Sequence, residues 1–186
     1  DPFCGSGTIP IEAALKGLNI APGLKRDFIA EKWGRVPQKL WQRVREEGKD
    51  LIKNSAEIHI QGYDIDEEVI KIARDNAKKA GVDEVIHFQQ RDARDLSSKD
   101  KYGFIVSNPP YGERMEDLKT VENLYRDMGV AFSNLDTWSF YILTAHEEFE
   151  KFFGRKAHRK RKLYNGMMKT DLYQYFGPKP PKHYWE

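Results

Sequence analysis

EIHIQGYDIDEEVIKIARDNAKKAGVDEVIHFQQ, residues 57–90, is the stretch that decides the fold. Glu57 to Asp64 reads as a strand, with Ile58 and Ile60 alternating along it. From Asp66 to Ala80 the positions Val69, Ile72, Ala73, Asn76, Ala77 and Ala80 recur at three and four, the period of an amphipathic helix. Asp66 can cap that helix and Gly81 can stop it. Val85 to Gln90 is the next strand. Strand, helix, strand in this order argues for a parallel α/β sheet.

The pattern continues outward. Upstream, Thr8 to Gly17 reads as a short helix, with Thr8 as its cap, Pro10 tolerated in its first turn and Gly17 as its end. Leu18 to Ser55 is a long interruption that holds Trp33, Trp41 and a predicted helix from about Pro37 to Lys53. Downstream, Tyr102 to Ser107 and Trp138 to Thr144 are strands. Between them Leu118, Val121, Leu124, Tyr125, Met128 and Phe132 mark a helix, and His146 to Phe153 is a shorter one. Arg161 to Tyr164 and Leu172 to Phe176 are expected to form a final hairpin, with an irregular tail over residues 178–186.

Composition narrows the class. The chain has 186 residues, 39% hydrophobic and 32% charged, which suits a globular protein with a real core. A single Cys4 excludes an internal disulfide and a cysteine-rich zinc site, and fits a reducing, cytoplasmic compartment. The five His show no ligand spacing, so no metal is expected. No apolar run is long enough to span a membrane. The near balance of 31 basic and 29 acidic residues hides an asymmetry: residues 151–186 hold 10 Lys and Arg against 2 Asp and Glu. A basic end on an acidic body suits contact with a polyanion, or is simply a solvated surface.

Parallel α/β sheets bind ligands at the carboxyl ends of their strands. The residues there are Asp1 to Gly7, Asp64, Asp92 and Asn108 to Tyr111, which are also the most distinctive in the chain. Gly5-Ser6-Gly7 permits a sharp turn and a close approach to a ligand, but Pro10 stands where a dinucleotide motif wants a third glycine. Asp64 can accept hydrogen bonds from a ribose diol or cap a helix; Asp92 can accept from an adenine amino group or merely shape a turn. Asn108-Pro109-Pro110-Tyr111 is the strongest signal. Its prolines stiffen the loop. The Asn108 side-chain oxygen and the Pro109 carbonyl can accept both hydrogens of an exocyclic amine, while Tyr111 offers a flat face to the base. Two fixed acceptors stabilise the positive charge that grows on such a nitrogen during methyl transfer.

Taken together, DPFCGSGT at residues 1–8, Ile11-Glu12-Ala13-Ala14, Asp64, Asp92 and Asn108-Pro109-Pro110-Tyr111 resemble the S-adenosylmethionine-dependent methyltransferases acting on exocyclic amines. More narrowly, the chain is similar to the THUMP-containing 23S rRNA guanine-N2 methyltransferase group, a likeness to which Ala21-Pro22-Gly23-Leu24 and residues 162–166 add. The resemblance implies a Rossmann-like, mostly parallel seven-stranded sheet of order 3-2-1-4-5-7-6 flanked by helices, with strand 7 antiparallel. It implies S-adenosylmethionine as cofactor and RNA, 23S rRNA in particular, as partner. It implies that Asp1, Pro2, Cys4, Gly5, Gly7, Asp64, Ile65, Asp92, Ala93 and Asn108 hold the cofactor. Asn108, Pro109, Pro110 and Tyr111 would present the base.

Residues 1–186 read as one methyltransferase domain with an insert at about 18–55, and the family's first strand and RNA-binding domain are expected upstream. Without the central first strand its neighbours would lose a partner, and the segment alone would hold cofactor badly. Residues 154–162, GRKAHRKRK, and the basic insert with its two tryptophans suit RNA contact. A solvated loop, and tryptophans that anchor the insert, serve equally. Cys4 reads as a small buried residue rather than a nucleophile. The competing functions are adenine-N6 methylation of DNA or RNA and a non-catalytic nucleic-acid-binding module of the same fold.

Overall fold

The computed structural model describes residues 1–53, 58–112 and 115–184, apart from the side chains of residues 115, 116 and 165. Glu57, at the start of the first expected strand, lies outside the described residues, as do Ser55 at the insert's end and the last two residues of the tail. In chain order the elements are α1 (Thr8–Gly17), α2 (Gln38–Asp50), β1 (Ile60–Asp64), α3 (Glu67–Ala80), β2 (Ile86–Gln90) and β3 (Phe104–Ser107). Then follow α4 (Met115–Ser133), β4 (Ser139–Thr144), α5 (Phe149–Phe153), β5 (Arg159–Asn165) and β6 (Met168–Tyr175).

The strands form two sheets. β1 pairs with β2 in parallel, Ile60 opposite Ile86 and Asp64 opposite Gln90. The other sheet has the order β3-β4-β6-β5, parallel between β3 and β4 and antiparallel on either side of β6. The described residues hold six strands, split where a central strand would lie, as expected for this segment without the family's first strand. Within each sheet the neighbours are those the resemblance implies.

The gap is partly closed by the first four residues. The Asp1 nitrogen donates to the Gln61 carbonyl at 2.8 Å, the Tyr63 N–H to the Asp1 carbonyl at 2.8 Å, and the Cys4 N–H to the Tyr63 carbonyl at 2.8 Å. They run beside β1 as a strand would, so its loss of a partner is incomplete. The Asp1 carboxylate accepts from the Phe3 N–H at 3.0 Å and from the buried Ser107 hydroxyl, at the end of β3, at 2.5 Å.

Two cores lie on either side of this seam. Cys4, Ala14, Ile70, Ala73, Ala77, Val82, Ile86 and Phe88 form one. The other is aromatic, with Tyr125, Phe132, Phe140, Phe149, Tyr173 and Tyr175 all sealed from water. Phe3 packs on the aromatic core while its neighbour Cys4 sits in the first, the alternation of an extended chain.

The ends of α3 follow the sequence, whereas α5 begins at Phe149 rather than His146, α2 ends at Asp50 rather than Lys53, and the ends of α1 differ too. Asp66 caps α3 by accepting from the Glu68 N–H at 2.8 Å, and Gly81 ends that helix in the left-handed conformation. Thr8 does not cap α1; it is the first helical residue, and Gly7 is the cap, at φ 87°. Gly17 is the last residue of α1 rather than its stop. The insert returns to its base where the Lys53 N–H donates to the Leu18 carbonyl at 2.8 Å. Trp41 stacks on Phe28, whereas Trp33 is 66% exposed.

Gly129, within α4, lies against the end of α5. A Cβ there would lie 2.2 Å from the Phe153 carbonyl oxygen. Gly129→Ala must push α4 from α5, at a cost of about 1–3 kcal/mol. In thermal unfolding followed by circular dichroism, the variant's Tm is expected to fall by several degrees.

Candidate functional site

The carboxyl ends of β1, β2 and β3 and one face of α4 enclose a cavity of about 570 Å³. Pro2, Asp64, Ile65, Asp92, Ala93, Asn108 and Pro110 line it, so seven of the residues singled out from sequence converge there. Phe3, Arg94, Asn123, Leu124 and Asp127 also line it; Arg94, Asn123 and Asp127 carry no signal in the sequence, because only the packing of α4 and the turn after β2 turns them inward. Asp1, Cys4, Gly5 and Gly7 are not among its lining.

Asp64 is held by two backbone donors, the Gly5 N–H at 3.0 Å and the Asp66 N–H at 3.1 Å. It thereby ties the turn after residue 4 to the start of α3. An ionised carboxylate has about four acceptor positions, so ligand-binding capacity is left. Asp92 is more heavily engaged. It accepts from the Arg94 N–H at 2.9 Å and is forked by the Arg94 guanidinium, the shortest contact being 2.5 Å. That hydrogen bonding holds the Asp92 carboxyl below the usual range.

The two glycines differ. A Cβ on Gly5, at φ 49°, would meet nothing within 4 Å. A Cβ on Gly7 would lie 3.0 Å from the Phe88 ring and 3.1 Å from the Ala73 methyl. Gly7 thus serves close packing of the turn on α3 and β2, in addition to its left-handed backbone. The Cys4 thiol is pushed up to about 11, first by burial and then by the Asp64 charge.

The loop after β3 is braced from beneath. Pro109 is buried, while Asn108 and Pro110 are exposed. The Tyr111 hydroxyl donates to the Asn108 side-chain oxygen. The Tyr125 hydroxyl, deep in the aromatic core, donates to the Pro110 carbonyl at 2.7 Å and lies 2.9 Å from the Thr144 hydroxyl. Burial pushes the Tyr125 phenol up to about 12, so it keeps its proton, and this bond, at any ordinary pH. Tyr125 reads in the sequence only as an apolar helix position; its role appears once α4 is seen to cross under the loop.

Tyr111 and Gly112, past the loop's bend, line a second cleft of about 520 Å³ with Leu118, His146, Glu147 and Lys169. The loop is thus a wall between two cavities. Among the described residues no group of three or more His, Cys, Asp or Glu could hold a metal ion. No described helix is long and apolar enough to cross a membrane.

Residues 1–174 match the model of the family described as RMKL-like, methyltransferase domain. The chain is 49% identical over 182 residues, 98% of its own length, to the Bacillus subtilis protein called "Putative RNA methyltransferase YpsC". It is 40% identical over 173 residues, 90% of its length, to the "Ribosomal RNA large subunit methyltransferase K/L" of Shewanella amazonensis. It spans 47% and 24% of those two relatives. Among solved structures it superposes with TM-score 0.94 and 47% identity on the one described as "SMU.472, a putative methyltransferase complexed with SAH", covering 97% of this chain and 48% of that one.

Two outcomes follow from the geometry. Tyr125→Phe leaves the Pro110 carbonyl without its donor and is expected to cost about 1–3 kcal/mol, read in denaturant unfolding. With its thiol at about 11, Cys4 is nearly all protonated at pH 8, only about one part in a thousand being thiolate. Its alkylation by iodoacetamide should therefore be very slow and rise about tenfold per pH unit up to pH 10, while the fold holds.

Proposed function

The chain belongs to the RMKL-like methyltransferase family, and from that premise we propose that it transfers a methyl group from S-adenosylmethionine to an exocyclic base amine in RNA, guanine N2 of 23S rRNA in the first instance. The observation that carries this reading is the convergence of Asp64, Asp92 and Asn108 on one cavity, with the Asn108 loop as its wall.

The residues present fit the cofactor. The cavity offers two carboxylates, the exposed apolar side chain of Ile65 and room for a nucleoside-sized ligand. Asp64 would accept from the ribose hydroxyls with its remaining lone pairs, and Asp92 from the adenine amino group once Arg94 swings away. Asp1, bonded to Ser107, and the Gly5 turn would border the methionine end. When bound, the cofactor supplies an electrophilic methyl on a sulfonium, whose carbon–sulfur bond breaks as the new carbon–nitrogen bond forms.

Asn108 and the Pro109 carbonyl orient the accepting nitrogen. Tyr125 takes the Pro110 carbonyl, which leaves Pro109 as the loop's second acceptor. The Asn108 oxygen accepts from Tyr111 and retains a second lone pair for the amine. The positive charge that builds on nitrogen meets these two fixed dipoles, and the extra proton leaves to water after transfer. The relatives called RNA methyltransferases support an RNA substrate. The basic strand β5 supports it too, since Arg159, Lys160, Arg161 and Lys162 are all exposed along a sheet edge.

The test is incubation with methyl-labelled S-adenosylmethionine and, separately, unmodified 23S rRNA, tRNA and DNA, followed by digestion to nucleosides. Label in N2-methylguanosine from rRNA is expected, reduced about 10²–10³-fold in Asn108→Ala. Label in N6-methyladenosine would keep the chemistry and change the substrate. Cofactor binding with no label in any pool would leave a non-catalytic module.

A further inference from the structure

The wall formed by residues 108–112 has two sides, and the cofactor reading uses only one. Asn108 and Pro110 face the cavity with Asp64 and Asp92; Tyr111 and Gly112 face the second cleft. In-line transfer puts the accepting nitrogen directly against the methyl carbon, so a base held beside Tyr111 has to bring its amine to Asn108, whose side-chain oxygen the Tyr111 hydroxyl already meets. The second cleft, at about 520 Å³, has the size of a small-ligand site.

Its walls have a definite chemistry. Tyr111, Leu118 and Met168 supply aromatic and apolar surface for a flat ring. Glu147, on the loop after β4, supplies an acceptor, and Lys169, near the start of β6, supplies a donor. Both are exposed, and among the described residues neither forms an ion pair, whereas Glu148 is tied to Lys151 at 2.8 Å. His146 Nδ1, also at this cleft, is enclosed and has no hydrogen-bond partner among the described residues.

We propose that this second cleft receives the methyl-accepting base, and that Glu147 and Lys169 select guanine; the inference rests on the amine-methylation reading above. Beside its 2-amino group guanine carries an N1–H donor and then the O6 acceptor. A carboxylate at Glu147 accepts from N1–H, and the Lys169 ammonium donates to O6. Adenine and cytosine carry a bare ring nitrogen next to their amine. That nitrogen has a lone pair, which a carboxylate repels. One acceptor followed by one donor thus complements guanine alone among the bases that bear an exocyclic amine.

The test uses the complete protein, unmodified 23S rRNA transcript and labelled S-adenosylmethionine, with cofactor affinity measured by calorimetry. Wild type is expected to form N2-methylguanosine. Glu147→Gln is expected to lower that rate about tenfold to a hundredfold with cofactor affinity unchanged, and to raise the share of N6-methyladenosine, because its amide N–H can meet adenine N1. Lys169→Ala, at an exposed position, should lower the rate in the same direction and guards against a Glu147 variant that misfolds. Wild-type rates and product ratio in both variants would overturn the proposal and leave the transfer reading standing. N6-methyladenosine as the wild-type product would overturn guanine selection alone. No methylated nucleoside from wild type would overturn the transfer reading, and this proposal with it.

Discussion

The Asp1 carboxylate, shared between the Phe3 N–H and the Ser107 hydroxyl, is the contact on which the rest of the architecture turns. Two sheets and two cores meet there, and the turn after β2 packs on α4 beside it. Residues 1–4 hydrogen bond to β1 on one side, and Asp1 reaches β3 on the other. Phe3 and Cys4 are driven into different cores. Burial makes the seam strong: Ser107 is sealed from water, and an unpaired hydroxyl there would be costly. The ends of β1 and β3 are brought together by this seam, and with them Asp64 and Asn108.

The loop of residues 108–112 shows how a rigid site is made from an exposed segment. Prolines remove its donors and much of its freedom. A buried tyrosine then takes one of its carbonyls, so the loop is fixed from the core rather than from solvent. The result is a thin partition with a polar side chain, Asn108, at the rim of one cavity and an aromatic one, Tyr111, at the other. A partition of this kind suits a reaction between two separately bound groups, since each reactant has its own surface and only the atoms at the edge need meet.

Some of this was legible beforehand. The parallel crossover of residues 57–90, the Asp66 cap, the Gly81 stop and the hairpin of β5 and β6 follow from periodicity and turn chemistry, which are local. The rule that ligands sit at strand ends singled out Asp64, Asp92 and Asn108, which line one cavity. Other readings were altered by contacts that the motifs do not specify, one of them distant in sequence. Gly7 abuts Phe88 and Ala73, residues of β2 and α3, so close packing accounts for its lack of a side chain. Asp92 is forked by Arg94, which motif spacing says nothing about. Thr8 yields its cap position to Gly7 because the turn before α1 is left-handed.

The sequence by itself determined which segments are strands and helices, and which residue types stand at the ends of the strands. Those properties depend on hydrophobic period, caps and turns within a few residues. Only the tertiary structure decided that Asp1 bridges the two sheets, that Tyr125 braces the loop, and that the loop stands between two cavities. Each of those depends on side chains from distant parts of the chain meeting in a packed interior, where volume and unsatisfied polar groups, rather than local preference, set the free energy.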